Sequence, residues 1–280
     1  MVKLVGMVLK KRSERAERAS SVLVEYLTSR GIDYFILYSA EGSLNRDVEK
    51  KIARCDLAVA FGGDGTLLFT ARIFSAHRVP IVGINLGGLG FITEFREEEV
   101  LECVECFLLG HHSYEDRMMI DTSVFRGGKL FHSSTGLNDL VVTSGGISRL
   151  LEFEVFTGNR FIGSYRADGI IVATPTGSTA YSLSAGGPIV DPTMSAFILS
   201  PVCPHALGVR PLVVPSENVI RVKVLSQKRE VTATIDGQTA VELEDRDEIH
   251  VLRSDSVTRL ISVGKRSFYD IVREKLAWKG

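Results

Sequence analysis

The run Phe61-Gly-Gly-Asp-Gly-Thr66 sets one carboxylate among three glycines, just after a mostly apolar stretch over 56–61. Glycines at the end of a buried strand let backbone N–H groups come close to an anion, and a helix starting beyond them adds its positive end. A carboxylate beside phosphates repels them unless a cation lies between, or unless it accepts the proton of an attacking hydroxyl. Asp64 in that setting points to phosphorylation of a hydroxyl rather than to passive nucleotide storage. The same residues also build an ordinary tight turn with the Asp near a helix start, so that reading stays open on this loop alone. The loop matches neither the Gly-Lys-Ser/Thr phosphate loop nor Gly-x-Gly-x-x-Gly, which weakens a hydride-transfer reading.

A second cluster, Gly83-Ile-Asn-Leu-Gly-Gly-Leu-Gly-Phe91, follows another apolar stretch. Asn85 could bond a ligand and Phe91 could face a base; equally, Asn85 could satisfy local backbone and Phe91 could lie in a core. In the third segment, residues 170–173 run into Thr174-Pro-Thr-Gly-Ser-Thr-Ala-Tyr-Ser-Leu-Ser184. Small hydroxyls and free amides in that density suit reading a base edge or ribose oxygens. Ser178, Ser182 and Ser184 are nucleophiles by type, but no His lies near them in sequence and the six His are scattered, so triad chemistry has no support. Asn138-Asp139 reads as a turn opening a strand, and Asp236-Gly237 as a hairpin turn. Cys103-Val-Glu-Cys106 has redox or zinc spacing, yet it lies in a helical apolar pattern with Val100 and Phe107 and has no second pair, so core cysteines are predicted.

The elements that must position these loops change character along the chain. Strands are predicted over 2–9, 34–38, 56–61 and 80–86, alternating with helices over 13–30, 44–54, 67–76 and 97–109. In the first helix Val22, Leu23, Tyr26 and Leu27 form the expected buried side. Apolar strands alternating with helices argue for a parallel sheet covered on both faces. Beyond about residue 112 short β-rich runs follow one another, with Gly127-Gly128 and Gly158-Asn159 as hairpin turns, which predicts a mostly antiparallel β domain. The tail over 268–278 has helical spacing. The expected organisation is therefore 1–113 as an α/β domain, 114–264 as a β-rich domain, and 265–280 as a helix returning to the first.

Hydrophobic residues make up 45% of the 280 and charged residues 24%, with 33 Lys plus Arg against 34 Asp plus Glu. A net charge of -1 lacks the basic excess that nucleic-acid or membrane-surface binding draws on. Four Cys in a chain of this length suit a reducing compartment. No apolar run is long enough to span a bilayer, and the first residues read as a strand rather than a signal peptide, so a cytoplasmic protein is expected.

Taken together, Gly62-Gly-Asp-Gly-Thr66, Asn85-Leu-Gly with Gly90-Phe91, Asn138-Asp139, Asp168-Gly169 leading into the Thr-Pro-Thr-Gly-Ser-Thr-Ala-Tyr stretch, and Asp236-Gly-Gln238 resemble the NAD kinase family over nearly the whole chain. The first motif is shared with lipid kinases; the Thr/Ser stretch is much more specific. The resemblance implies phosphoryl transfer from ATP or polyphosphate to the 2′-hydroxyl of the adenosine ribose of NAD, with Mg²⁺ or another divalent cation. It implies Asp64 as general base or metal contact, with Gly65, Asn85 and Phe91 also at the ligand. Asn138 and Asp139 would reach ribose hydroxyls, although the family often has the longer Glu at the second position. Thr176, Thr179, Ala180, Tyr181, Ser182, Leu183 and Ser184 would line the adenine and ribose pocket. Arg149 and Gln238 would make further dinucleotide contacts. Arg166 and Asp168 would belong to a site completed by a neighbouring subunit, implying a homodimer or homotetramer. Two other readings stand beside it: a diacylglycerol-type lipid kinase, and a non-catalytic dinucleotide-binding regulator.

Overall fold

The structure, a computed structural model, describes residues 2–39, 45–88, 90–145, 150–225 and 230–278. The chain forms two compact units, Met1–Arg117 with Ser256–Gly280, and Met118–Asp255.

The first unit begins with β1 (Leu4–Leu9), α1 (Glu14–Ser29), β2 (Asp33–Tyr38), α2 (Arg46–Ile52), β3 (Leu57–Gly62), α3 (Asp64–Phe74), β4 (Ile81–Asn85), β5 (Phe95–Arg96) and α4 (Val100–Leu109). The parallel order is β2-β1-β3-β4, with β5 also parallel to β4. Alternate side chains Val5, Met7, Leu9, Leu57, Val59 and Phe61 meet Leu23 and Leu27 of α1 and Val104 and Phe107 of α4. Burying a side chain such as Leu23 contributes roughly 1.5–3 kcal/mol. The opposite face is thinned by glycine so that α3 can approach: a Cβ on Gly83 would stand 2.6 Å from the Leu67 side chain. Ser13 caps α1 by accepting the Ala16 N–H. The buried stripe of that helix is Ala16, Ala19, Ser20, Leu23 and Leu27, so Val22, expected inside, is 46% exposed. Three- and four-residue steps from Ala16 and Ala19 set the stripe, and Val22 falls off it. The predicted start of the second helix at residue 44 lies outside the described residues; within them it begins after its cap Asn45.

The second unit carries β6 (Ser113–Arg126, entering from the first), β7 (Lys129–Gly136), β8 (Asp139–Ser144), β9 (Leu151–Thr157), β10 (Arg160–Ala167), β11 (Gly169–Ala173), α5 (Tyr181–Ser184), β12 (Ala196–Val202), β13 (Leu212–Pro215), β14 (Ile220–Val224), β15 (Val231–Ile235), β16 (Thr239–Leu243) and the first part of β17 (Glu248–Ser262). Six strands form an antiparallel sheet in the order β13-β12-β11-β8-β15-β16. Its Leu140, Val142, Ile170, Val172 and Phe197 share one core with Phe153 and Val155 of β9, Val222 of β14 and Ile249 of β17. The other face of this sheet, at Val141, Ile171, Ala173 and Ile198, is packed by Val190 and Ala185 from the chain that follows β11. β12 and β13 are absent from the sequence-based reading; β12 carries Pro201, a residue type that central strands exclude. β13 pairs only with residues 196–199 of β12, so Pro201 has β11 alone beside it and no ladder bond is broken on the other side.

The end of β17 lies in the first unit, where Leu260 pairs in parallel with Ile81. α6 (Phe268–Lys275) follows, capped reciprocally by Ser267 and Asp270, with Ile271 and Val272 buried. The fold class is the one expected: a parallel α/β sheet, an antiparallel β domain and a C-terminal helix. Among the described residues no helix is long and apolar enough to cross a membrane.

Candidate functional site

In the first unit β2 and β3 flank β1 on opposite sides, so the strand order reverses at β1/β3. Ligands of open α/β sheets bind outside the carboxyl ends of the strands at such a reversal. A pocket of about 360 Å³ lies there. Lys10 follows β1, Gly62 and Gly63 end β3, and Asn85 with Gly87 follows β4, and all of them line it. Asp64 lines it too, from the first turn of α3: the helix starts three residues earlier than sequence periodicity indicated, because its cap is Gly63.

Asp64 is held by the second glycine loop. Oδ1 accepts the N–H of Ile92 (3.3 Å), the N–H of Thr93 (3.2 Å) and the Thr93 hydroxyl (2.9 Å). Among the described residues Oδ2 accepts only the Phe91 N–H, at 3.0 Å. A carboxylate offers about four lone-pair sites, two on each oxygen, so Oδ1 is filled and Oδ2 keeps acceptor capacity. The Thr93 hydroxyl in turn accepts from Asn85 Nδ2 (2.7 Å), whose Oδ1 accepts the Gly87 N–H (2.8 Å). Gly90 makes this approach feasible, since a Cβ there would stand 2.1 Å from Asp64 Oδ1. Gly62 is equally constrained, by Thr66 Oγ1 at 2.1 Å.

In the second unit one end of the six-stranded sheet gathers three segments. Asp139 opens β8 opposite Ala173, the last residue of β11, and Leu140 stands opposite Ile235, the last of β15. Asp236 and Gly237 both take positive φ, 53° and 63°, as a tight two-residue hairpin turn requires. The Asp236 carboxylate reaches across to accept the N–H groups of Leu137 (2.8 Å), Asn138 (2.7 Å) and Asp139 (3.1 Å). Thr174 fastens the third segment: its N–H donates to Asn138 O and its hydroxyl to Leu137 O. Gly177 sits so close that a Cβ would be 2.1 Å from Asn138 O. Burial, and then the Asp236 charge, push the Asp139 carboxyl up to about 7. Asn138 Oδ1 and Thr176 Oγ1 are buried polar atoms with no hydrogen-bond partner among the described residues. Such atoms cost about 1–3 kcal/mol if left dry, so two of them at one sheet end mark a place where a polar ligand or water completes the bonding.

Two family models match the chain, the ATP-NAD kinase N-terminal domain over residues 5–112 and the ATP-NAD kinase C-terminal domain over residues 137–263. The NAD kinase of Moorella thermoacetica is 44% identical over 276 residues, covering 97% of this chain and 88% of that one. The chain belongs to the NAD kinase family. It is thus an enzyme, a phosphotransferase with NAD kinase activity, and these matches lend nothing to the lipid-kinase and regulator readings. Among solved structures, yeast NADH kinase complexed with NADH superposes with a TM-score of 0.88 at 25% identity, covering 100% of this chain and 88% of that one. An NAD kinase from Archaeoglobus fulgidus in complex with ATP gives 0.77 at 26% identity, covering 99% and 100%.

Within this kinase the residues singled out by sequence fall into two groups. Asp64, Gly65, Asn85 and Phe91 belong to the first unit; Asn138, Asp139, Thr176, Thr179, Ala180, Tyr181, Ser182, Leu183, Ser184 and Gln238 belong to the second. Phe91 holds the Lys275 ammonium over its ring, 4.7 Å from the centroid. Tyr181, Ser184 and Gln238 are exposed, whereas Ser182 is fully buried and its hydroxyl is shared with Ser200 at 2.9 Å. Arg166 is exposed and paired with Glu152 at 3.1 Å, and Asp168 donates its N–H to Val202 O. Arg149 lies outside the described residues. Cys103 is a core residue, its thiol driven upward in pKa by burial. Sequence reasoning missed Thr93, Thr174, Lys10 and Lys275. Lys10 carried a usable signal, being the residue just after the first parallel strand; nothing local marks Lys275.

Proposed function

We propose that the enzyme transfers the terminal phosphoryl group of ATP to the 2′-hydroxyl of the adenosine ribose of NAD, with Asp64 Oδ2 taking the hydroxyl proton. The observation that carries this assignment is the asymmetry of the Asp64 carboxylate, one oxygen filled and the other holding a single bond. A base oriented in this way loses little freedom on reaching the transition state, and general-base catalysis contributes about 10²–10⁴-fold. The glycine-lined pocket beside it suits the phosphates of the donor, ATP or inorganic polyphosphate, because free amides and the start of α3 favour anions.

For the dinucleotide, Asn138 Oδ1 and Thr176 Oγ1 are the acceptors that ribose hydroxyls or the adenine amino group would satisfy. Thr179, Ala180, Tyr181, Leu183 and Ser184 would flank them, with Gln238 and Arg149 as outer contacts, while Ser182 would support the segment through Ser200. Among the described residues no group of three or more His, Cys, Asp or Glu is placed to hold a metal by itself. Mg²⁺ would then be carried chiefly by donor phosphates and water, since Asp64 Oδ1 is filled and the free position on Oδ2 takes the hydroxyl proton. Such an ion would neutralise phosphate charge as transfer proceeds. Arg166 and Asp168 would complete a neighbouring subunit's site in a homodimer or homotetramer, a state that light scattering would report. The enzyme would work in the cytoplasm. The deciding experiment incubates purified protein with NAD, ATP and Mg²⁺ and assays for NADP; no NADP formed would reject the assignment.

A further inference from the structure

We propose that Lys275, the last residue of the C-terminal helix, binds the phosphate chain of the phosphoryl donor together with Lys10, so that α6 is part of the donor site. The proposal rests on the donor reading of the glycine-lined pocket and adds to it the cations that make that pocket work.

Four observations carry it. First, Lys10 and Lys275 line the pocket from opposite ends of the sequence, alongside Gly62, Gly63 and Asn85. Second, neither ammonium is paired with a carboxylate among the described residues, whereas other basic groups near these elements are, with Arg15 on Glu97 and Lys265 on Glu99 and Glu102. Two ammonium groups at one pocket, set against the single carboxylate of Asp64, leave an excess of positive charge that an entering polyanion would offset. Third, Lys275 is aimed rather than loose. The Ser267–Asp270 capping box fixes the start of α6, Ile271 and Val272 anchor it in the core, and the Phe91 ring carries the ammonium 4.7 Å from its centroid. Fourth, the N–H of that same Phe91 donates to Asp64 Oδ2. Lys275 is therefore one residue removed from the reacting carboxylate and lines the same pocket as Asp64. A linear polyphosphate matches two separated point charges facing backbone amides; a lone monoanion would leave one charge unused.

The test is calorimetric titration of inorganic tripolyphosphate and of ATP into the full chain, for wild type, Lys275→Met, Lys275→Arg and Lys10→Met, with steady-state kinetics alongside. Lys275→Met is expected to weaken tripolyphosphate about tenfold or more, the worth of one hydrogen bond to a charged group. The KM for ATP should rise in parallel, with the KM for NAD and the melting temperature unchanged, and Lys275→Arg should recover most of the affinity. Wild-type affinity in both methionine variants, or no tripolyphosphate binding by wild type, would overturn the proposal. The NADP assay separates this from the parent reading. NADP formation with an unaltered ATP KM in Lys275→Met sinks the Lys275 role alone, and absence of NADP from wild type sinks the activity itself.

Discussion

Replacing Asp64 by Asn removes a charge and turns one acceptor into a donor, and the surrounding bonds set the cost. Asn keeps one carbonyl oxygen, which the three donors at Oδ1 will claim. Its amide –NH₂ must then face the Phe91 N–H, which loses its partner. The remaining bonds lose charge assistance, and bonds to charged groups are worth about 1.5–3 kcal/mol against about 1 for neutral ones. Adding the unpaired N–H gives a cost of about 3 kcal/mol. At about 2–4 °C per kcal/mol for a chain of this size, the melting temperature should fall by roughly 6–12 °C. Turnover should fall by about 10²–10⁴-fold, through loss of the base. Both are read on one preparation, calorimetric melting beside NADP formation at a temperature well below either transition. A large loss of turnover at an unchanged melting temperature would refute the bonding argument. A lowered melting temperature with near-wild-type turnover would refute the base.

Three other perturbations probe the same geometry. Gly90→Ala sets a Cβ at 2.1 Å from Asp64 Oδ1; displacing the carboxylate or the loop should cost about 1–3 kcal/mol and abolish most turnover while leaving the fold intact by circular dichroism. Asp236→Ala strips the acceptor from three N–H groups of residues 137–139, so the KM for NAD should rise about tenfold or more while that for ATP holds, as initial-rate kinetics would show. The third concerns pH. Asp139 stands at about 7 in the native protein against about 3.9 unfolded. Between those values the native state holds a proton that the unfolded state has released. Its contribution is thus complete below about pH 4 and lost as pH rises through 7, with a slope of at most about 1.4 kcal/mol per pH unit. Melting curves from pH 4 to 8 should show this decline in wild type and a flatter profile in Asp139→Asn.

Sequence legibility followed the range of the interactions. Periodicity and glycine punctuation are local, so the parallel strands, the hairpins at Gly127-Gly128 and Asp236-Gly237, and the glycine loops could be read directly. Asp64 could be nominated from its neighbours in sequence, but not the four bonds that orient it, because their donors lie 27–29 residues later. Asp236 reads as a turn residue and is one; that its carboxylate also grips residues 137–139 needs contacts 97–99 residues apart. The strand at Ala196–Val202 went unread; it carries a proline whose tolerance depends on where a neighbouring strand stops. Phe91 is the instructive case: a ring suited to a nucleobase carries a cation from a helix that the sequence returned to the first domain without showing which residue it would meet.

Because the first unit is assembled from two separate stretches of the polypeptide, it cannot be completed until the second of them, residues 256–280, has been made. The partner strand at Leu260, the Thr258 hydroxyl that meets Ser75, and Lys275 all belong to that later stretch. Domains generally fold as units during synthesis, so the interior unit closes first, and the amino-terminal sheet waits with its β4 edge held only by the two residues of β5 until the end of β17 joins it. A chain cut short before residue 256 would keep every glycine motif yet leave that edge open.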